Sequence, residues 1–482
     1  MSDSETVLEQ AIRSASVTRS VVVDPDAITR LPHVLHSLGY TGACQLVADP
    51  DTMAAAGTRV LAVLRAANIA TEEPIVLDEM PRLKPRAETA GAVGARLKAA
   101  GALPIAVGAG VINDVAKYAA HVAGLPYVSV PTAASMDGYA ASGAAMLDGG
   151  FKRTLACAPP IAIVADLDVI AKAPARMAAW GYGDLAGKVI AGADWILADA
   201  VGEEPLDPTA FALVQDNVKV WLSGPDRIAA HDIEALRGLV NGLLIAGFAM
   251  QSHGNSRPAS GSEHQLSHVW EMDRLTVDGE PAAHGACVGV GAVAMLALYE
   301  LFLAQDVPDA VNQREWDDDL DRRRIEAEVQ ASFLEPFLVQ SARTEMAAKI
   351  ARAGARPSRL RALGAAWPAL RGRIESTLIP SATMEQWLSA CGAASHPADL
   401  GVPLAKLAAD YRRARLIRRR YTILDCLDDL GWLDKAIEAL FESSGFWGSR
   451  SRQSNIAAAV NRVVTDSRAL SNDELTDDRS RG

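Results

Sequence analysis

Between residues 20 and 170, short apolar runs alternate with Ala- and Leu-rich segments of helical character. The runs are rich in Val, Ile and Leu and read, in order, SVVVD, ACQLVAD, EPIVLD, LPIAVG, YVSVP and IAIVAD. Runs of this length separated by helical segments are typical of βαβ units, which build a parallel sheet with helices on its faces. Residues 1–170 are therefore predicted to form an α/β domain that binds ligands at the carboxyl ends of its strands.

The pattern changes after residue 170. The β-rich runs largely stop, and helical periodicity with Ala, Leu, Glu and Arg continues to about residue 470. We expect an all-α second domain over residues 171–470 and a polar tail over residues 471–482. Within the helical part, residues 313–330 mix charges of both signs and are interpreted as a solvated helix rather than a binding patch.

The composition is that of an ordinary globular protein, because 49% of the 482 residues are hydrophobic and 22% are charged. The net charge of −12 argues against a broad nucleic-acid surface and favours a small-molecule partner. The five cysteines form no CxxC pair, so no disulfide framework is expected. The N-terminus lacks an apolar signal core, and no stretch approaches the roughly 20 uninterrupted apolar residues of a membrane span. We therefore expect a cytoplasmic protein without a membrane span.

A glycine loop, GAGVIND, follows the apolar run LPIAVG and supplies Gly108 and Gly110. Glycines between a strand and a helix let backbone N–H groups approach a pyrophosphate. The loop departs from the Rossmann fingerprint because Asn113 stands at the third glycine position, so a plain tight turn stays open beside a nucleotide site. Asp49, at the end of an earlier run, could accept hydrogen bonds from an adenosine ribose, which favours NAD over NADP. A turn role before Pro50 is the alternative for Asp49.

Four of the nine histidines fall between residues 253 and 284. His264 and His268 are four residues apart, which puts both imidazoles on one face of a helix, and His284 follows shortly. Such pairs suit divalent metals but also arise by chance. Asp184, in WGYGDLAGK, offers a carboxylate that would complete a set of three ligands with open coordination positions, although a helix N-cap is an equally ordinary role for it.

Several ordered motifs together resemble those of the sn-glycerol-1-phosphate dehydrogenases, within the superfamily of iron-containing alcohol dehydrogenases, glycerol dehydrogenases and dehydroquinate synthases. The motifs are GAGVINDVAKY, VPTAASMDGYAASGAA, ADLDVIAKAPARMAAWGYGDLAGK, ASGSEHQLSHVWEM and HGACVGVG, with a further patch at RRRYTILDCLDDLGWLD. The resemblance implies a dehydroquinate synthase-like fold, in which a nucleotide-binding α/β domain and a helical metal-binding domain enclose the active site.

The resemblance also implies roles for individual residues. The metal ligands are Asp184, His264 and His284, while His268 and Asp137 lie near the nicotinamide and substrate and take part in catalysis. Gly108, Gly110, Asn113 and Asp114 are expected along the pyrophosphate, with Thr132 and Ser135 near the nicotinamide. Lys117 matches the loop pattern without an assigned role.

The activity implied is the reversible reduction of dihydroxyacetone phosphate to sn-glycerol 1-phosphate, with NAD(H) or NADP(H) and one divalent ion, Zn²⁺, Ni²⁺ or Fe²⁺. The ion would polarise the ketone, and His268 or a water would relay the proton. Lys152 and Arg257, and then Lys188, are candidates for binding the substrate phosphate, with surface charge as the alternative role for each. A homo-oligomer, a dimer or larger, is expected.

Two other activities stay open on the same architecture. A lyase or cyclase of the dehydroquinate synthase kind would act on a sugar phosphate without net redox change, but its metal carboxylate is typically Glu where this chain has Asp184. A dehydrogenase of another polyol is the second alternative. A non-catalytic homologue would have lost a ligand or glycine position, and none is lost. Residues 305–400 match no pattern of the family.

Overall fold

The computed structural model describes residues 3–79, 83–148, 151–308 and 318–450. Its first part contains a parallel sheet of six strands in the order β1-β8-β5-β4-β2-β3. The strands are β1 (Ser20–Asp24), β2 (Cys44–Ala48), β3 (Ile75–Val76), β4 (Leu103–Gly108), β5 (Val128–Pro131) and β8 (Ala162–Asp166). All six coincide with the apolar runs of the sequence, so the predicted parallel sheet is confirmed.

The strands are buried on both faces, as expected for a sheet flanked by helices. In β2, Leu46 and Ala48 pack into one apolar layer and Val47 into the opposite one. The helices of this part are α1 (Asp3–Ser14), α2 (Leu31–Ser37), α3 (Pro50–Thr52), α4 (Thr58–Ala66), α5 (Ala87–Ala100), α6 (Gly110–Ala123) and α7 (Leu167–Ile170).

An antiparallel hairpin of β6 (Ala144–Asp148) and β7 (Phe151–Leu155) leaves the sheet between β5 and β8. The sequence did not predict it, because the segment lacks a long apolar run. Arg153 of this hairpin lies over the ring of Phe337, 4.4 Å from its centroid, in the helical part. The hairpin therefore extends from the sheet to the helical part.

Helices make up most of the second part, as predicted. They are α8 (Ala175–Ala200), α9 (Pro208–Gln215), α10 (Val218–Trp221), α11 (Pro225–Ala229), α12 (Ile233–His253), α13 (Ser262–Met272), α14 (His284–Leu303), α15 (Asp318–Ser332), α16 (Pro336–Ala351), α17 (Arg356–Thr377), α18 (Ser381–Ala390), α19 (Leu404–Leu416), α20 (Ile423–Leu430) and α21 (Leu433–Phe441). A short hairpin of β9 (Thr276–Val277) and β10 (Glu280–Pro281) separates α13 from α14.

The helices α12 and α14 are long and apolar enough to cross a membrane by length and composition. The sequence analysis did not anticipate this for either helix. Most of each helix is buried inside the protein, 72% of the apolar window of α12 and 89% of that of α14. Both are core helices of the large apolar cluster that fills the second part.

Two features differ from the sequence expectations. The first helix, α1, packs against α12, and its Ala11, like Ala15 just after the helix, belongs to the core of the helical part rather than to the sheet layers. The segment interpreted as a solvated helix forms α15 in its described residues, but Ile325 and Val329 are buried. Arg322, Arg323 and Glu326 of α15 are exposed, as a solvated helix predicts, and a buried apolar stripe accompanies these charges. The predicted polar tail, 471–482, lies outside the described residues.

Candidate active site

Three side chains that could ligate a metal converge where α8, α13 and α14 meet. They are Asp184, His264 and His284, and one ligand atom from each lies within 4.8 Å of the others. Asp184 is fully buried in the interior of α8, so the N-cap role is excluded for it. The Nε2 atom of His264 lies 3.7 Å from Oδ1 of Asp184, and the rings of His264 and His284 are 5.2 Å apart between centroids.

Glycines allow these helices to approach so closely. A Cβ on Gly183 would collide with the backbone carbonyl of Gly285, and a Cβ on Gly285 would overlap the carbonyl of Trp180. A Cβ on Gly291 would lie 2.6 Å from the carbonyl oxygen of Glu263. The contacts between α8, α14 and α13 are therefore backbone to backbone, which brings their metal-binding side chains to one point.

Two carboxylates orient the imidazoles. Oε1 of Glu263 lies 2.6 Å from Nδ1 of His264. Glu271 serves two rings, because its Oε1 lies 2.8 Å from Nδ1 of His284 and its Oε2 lies 2.9 Å from Nδ1 of His268. A carboxylate at Nδ1 fixes the proton there and leaves Nε2 as the electron-pair donor.

Both glutamates were missed by the sequence analysis. A weak signal exists for each, since Glu263 adjoins His264 and Glu271 stands three residues after His268 on the same helix face. Carboxylates near histidines are too common in helices for this spacing to identify them alone.

Burial keeps His264 and His268 neutral. It lowers the pKa of His264 well below the ordinary value and that of His268 to about 4, against the raising effect of Glu271 on His268. Burial likewise raises the pKa of the Glu263 carboxyl to about 8. Uncharged imidazoles are the form that binds a metal, so the environment suits ligation.

An ion pair joins Asp184 to the loop after β5. Nζ of Lys188 lies 2.7 Å from Oδ1 of Asp184 and 2.6 Å from Oδ2 of Asp137, and the backbone N–H of Asp137 donates to Oδ2 of Asp184 at 2.8 Å. Burial and the Asp184 charge raise the pKa of Asp137. Burial opposes ionisation of Asp184 too, but Lys188 and His284 outweigh it and lower the pKa of Asp184.

The glycine loop lies at the carboxyl end of β4, where Gly108 pairs with Pro131 of β5. A Cβ on Gly108 would fall 2.5 Å from Cβ of Ile112, and one on Gly110 would fall 3.0 Å from Sδ of Met136. Residues 109–111 at the start of α6 are half-buried rather than enclosed. The loop therefore presents free N–H groups of a helix N-terminus to the cleft.

Two residues expected along a pyrophosphate point elsewhere. Oδ1 of Asn113 accepts a hydrogen bond from Oγ of Ser129 at 3.0 Å, and Oδ2 of Asp114 accepts one from the backbone N–H of Ala145 at 3.3 Å. Both residues are buried. The expectation that these side chains line the pyrophosphate is corrected, because α6 packs its fourth and fifth residues onto the sheet and hairpin.

The side chain of Lys117 is likewise held by hydrogen bonds within the protein. Its buried Nζ donates to the backbone carbonyls of Gly138, Ala141 and Gly143 at 2.7, 2.9 and 3.0 Å. These carbonyls belong to the loop that begins at Asp137. Lys117 therefore fixes the path of that loop.

The remaining nucleotide candidates lie at the same edge of the sheet. The N–H of Thr132 donates to the carbonyl of Gly108 at 3.3 Å, and Oγ of Ser135 lies 3.0 Å from the hydroxyl of Tyr139. Asp49 caps the short helix α3, accepting from the N–H of Thr52 at 2.8 Å, which is the turn role kept open for it. Its contact with a ribose stays a prediction.

The three candidates for phosphate binding lie in different environments. Arg257 is fully buried, with Nη2 donating to the carbonyls of Asp194 and Tyr421 and Nε 3.2 Å from Glu204. This corrects its predicted role, because no solvent-accessible face is left for a phosphate. Lys188 is bound by two carboxylates in the site, and the side chain of Lys152, in β7, lies outside the described part.

A cleft of about 810 Å³ lies in the helical part, between α16 and the segment 417–421. Its lining includes Arg418, which the sequence analysis did not single out. The positive charge of Arg418 is close enough to lower the pKa of both His264 and His268.

Comparison with known proteins gives relatives for both sequence and fold. The family model of the iron-containing alcohol dehydrogenases matches residues 22–174. A protein of Halalkalibacterium halodurans named glycerol-1-phosphate dehydrogenase (NAD(P)+) is 37% identical over 277 residues, covering 57% of this chain and 69% of its own. One of the same name from Methanocorpusculum labreanum is 35% identical, covering 60% of this chain and 77% of its own.

Among solved structures, the glycerol dehydrogenase of Schizosaccharomyces pombe matches with a TM-score of 0.55 at 16% identity, over 89% of this chain and 91% of that one. The alcohol dehydrogenase of Oenococcus oeni matches with a TM-score of 0.57 at 14% identity, over 88% of this chain and 99% of that one. These likenesses concern the fold. With the sequence relatives and the site geometry, they lead to one conclusion: the chain belongs to the glycerol-1-phosphate dehydrogenase family, within the iron-containing alcohol dehydrogenases.

Proposed function

We propose that this protein catalyses the reversible, NAD(P)H- and metal-dependent reduction of dihydroxyacetone phosphate to sn-glycerol 1-phosphate. One observation carries the proposal: a cluster of Asp184, His264 and His284, with ligand atoms within 4.8 Å of one another, hydrogen-bonded directly to the loop after β5. The names of the relatives supply the substrate. The same cluster serves any polyol dehydrogenase of this fold, so the substrate is the part most in need of a test.

The residues fit one divalent ion. Two imidazoles with carboxylates at Nδ1 and one buried carboxylate make a three-ligand set that leaves coordination positions open, as a catalytic site requires. The donor set suits Zn²⁺, Ni²⁺ and Fe²⁺ alike. When bound, such an ion supplies Lewis-acid polarisation of the substrate ketone.

The nucleotide is proposed to lie along the carboxyl ends of β4 and β5. Gly108 and Gly110 keep the start of α6 free of side chains, so its N–H groups can bind a pyrophosphate. Thr132 and Ser135, on the loop that leads to Asp137, would then border the nicotinamide. The hydrogen bond from Asp137 N–H to Asp184 ties this loop to the metal cluster, which brings hydride donor and ketone together.

His268 is proposed to take part in proton transfer, and Asp137 in substrate binding. Glu271 holds Nδ1 of His268, so Nε2 is the atom available to the substrate. With its pKa lowered to about 4 by burial, His268 is neutral and is proposed to accept the alcohol proton at Nε2 in the oxidation direction; in the reduction, it or a water relays a proton from solvent to the oxygen of the new alcohol. Asp137, held by Lys188, is proposed to accept a substrate hydroxyl. One hydride and one proton thus convert the ketone to the alcohol.

The test is NADH or NADPH oxidation by the metal-reconstituted protein with dihydroxyacetone phosphate, followed by chiral analysis of the product. sn-Glycerol 1-phosphate is the expected product. His264→Ala should abolish turnover and lower bound metal while NADH binding persists, whereas His33→Ala, at an exposed position, should change neither. Oxidation of another polyol alone, or phosphate release from a sugar phosphate without net NADH loss, would overturn the proposal.

We also propose that the protein works as a cytoplasmic homo-oligomer. All five cysteines are free and buried in the structure, which suits a reducing compartment. Light scattering on the purified protein would test the oligomer, and a monomer at micromolar concentration would contradict it.

A further inference from the structure

We propose that the guanidinium of Arg418 binds the phosphate of the substrate and so selects phosphorylated triose over free triose. The inference deepens the proposed function and rests on it. It assigns the phosphate to a residue of the helical part, between α19 and α20.

The position of Arg418 relative to the histidines comes from its neighbouring helices. It follows α19 and precedes α20, and α19 packs against α13, the helix of His264 and His268. Arg413, near the end of α19, pairs with Asp273 just beyond the end of α13. Arg420 donates to the carbonyl of Ser260 just before the start of α13, so the segment with Arg418 runs along this helix. A phosphate on Arg418 would therefore hold a short substrate beside the helix that carries the two rings.

Arg418 differs from the neighbouring arginines in its lack of a described hydrogen-bond or ion-pair partner. Arg419 pairs with Glu345 at 3.0 Å, and Arg420 donates to Oγ of Ser256 at 3.1 Å and to the carbonyl of Ser260. Among the residues that the structure describes, Arg418 has no hydrogen-bond or ion-pair partner. Burial lowers its pKa, which means that its charge is held at a cost in the absence of an anion.

The acidic residues of the cleft are already engaged. Glu203 pairs with Arg352, Glu204 with Arg257, and Glu345 with Arg419. None of the three carboxylates that line the cleft forms an ion pair with Arg418, and Glu345, whose charge acts on it from a distance, is paired with Arg419. A planar guanidinium with free N–H groups matches a phosphate, to which it can donate two parallel hydrogen bonds.

The experiment uses the metal-loaded protein and the variant Arg418→Met. Losing charge-assisted hydrogen bonds should raise KM for dihydroxyacetone phosphate on the order of 10- to 100-fold. The kcat/KM for unphosphorylated dihydroxyacetone should stay within about twofold of wild type. Arg418→Lys should recover only part of the affinity for the phosphate. Lysine keeps the positive charge but lacks the planar guanidinium that donates two parallel hydrogen bonds. Inorganic phosphate should compete with dihydroxyacetone phosphate in wild type and not in Arg418→Met.

Arg412→Met is the matched control, because Arg412 lies on α19 and pairs with Asp434 at the surface. It should leave both substrates and phosphate inhibition unchanged. An unchanged KM in Arg418→Met, or an equal loss with both triose substrates, would overturn the inference. If inorganic phosphate competes with NADPH instead of with dihydroxyacetone phosphate, the phosphate binds at the nucleotide site. That result would also overturn the inference.

A binding measurement separates this inference from the proposed function. Calorimetric titration of inorganic phosphate into wild type and Arg418→Met requires no turnover. Tighter binding to wild type is expected, and equal binding to both overturns the assignment to Arg418. Failure of wild type to reduce dihydroxyacetone phosphate with any of the three metals is the distinct result that overturns the proposed function.

Discussion

Nζ of Lys188 lies 2.6 Å from Oδ2 of Asp137. Lys188 belongs to α8 of the helical part, and Asp137 to the loop that follows β5 of the sheet. The pair therefore joins the two walls of the site, with the side chain of Lys188 fully buried between two carboxylates.

Replacement of Lys188 by Met should destabilise the protein by about 3–5 kcal/mol, because it leaves the buried carboxylates of Asp137 and Asp184 without their counter-charge. Added divalent ion should restore part of the loss by supplying positive charge at Asp184. Urea unfolding with and without chelator measures both effects. Lys219→Met is the control, since the Lys219 ammonium contacts a backbone carbonyl only, and an equal effect there would contradict the explanation.

Because Glu271 contacts two histidines, its replacement is predicted to weaken metal binding. Glu271→Gln removes the charge that holds Nδ1 of His284 and His268, and should weaken metal binding or activity by about 10- to 100-fold without unfolding the protein. Competition with a chelator gives the metal affinity. Glu375→Gln, in a surface pair with Arg371, should have no effect, and a normal metal affinity in Glu271→Gln would refute the orienting role.

Because α8 and α14 approach closely, one added methyl group between them is predicted to lower the stability of the protein strongly. Gly285→Ala would overlap the Trp180 carbonyl and should cost on the order of 3 kcal/mol, with loss of bound metal. Gly238→Ala, in α12 with no atom within 4 Å of the added Cβ, should instead stabilise by up to about 1 kcal/mol. Thermal unfolding distinguishes the two, and equal melting temperatures would count against the packing argument.

The lowered pKa of His268 predicts a pH dependence of the metal-free protein. Burial lowers the pKa to about 4 in the fold, against 6.5 for the unfolded chain, so the unfolded state binds more protons between these values. The contribution of His268 to stability is therefore lost as pH falls through this window and is constant above it. Glu263, with its pKa raised by burial to about 8, has the opposite slope.

The comparison of wild type with His268→Gln isolates this contribution. The stability difference between the two should change between about pH 6.5 and pH 4 and level off above. His33→Gln, at an exposed position, should run parallel to wild type. A difference that is independent of pH would show that His268 is not buried as a neutral ring.

The parallel sheet could be predicted because each strand is a short run of β-branched and apolar residues buried on both faces, as in LPIAVG. The grouping of His264 and His284 with Asp184 followed from motif order rather than from periodicity. Glu271 and Arg418 could not be found this way, because their roles depend on which helices pack together.

The errors have physical reasons. Arg257 stands in a loop rich in Ser, Gly and Pro, which in sequence resembles an exposed segment, but the chain at Tyr421 and Glu204 covers it. Asn113 and Asp114 follow the glycines closely in sequence, yet the turn of α6 directs them to the strand and hairpin instead of the cleft.

The packing of α1 on α12 has a mechanical consequence. Because α1 belongs to the helical core, the chain passes between the two parts twice, once between α1 and β1 and again between β8 and α8. Two connections fix the sheet part to the helical part at two points instead of one. Any movement of one part relative to the other must therefore strain both connections, which limits the directions in which it can occur.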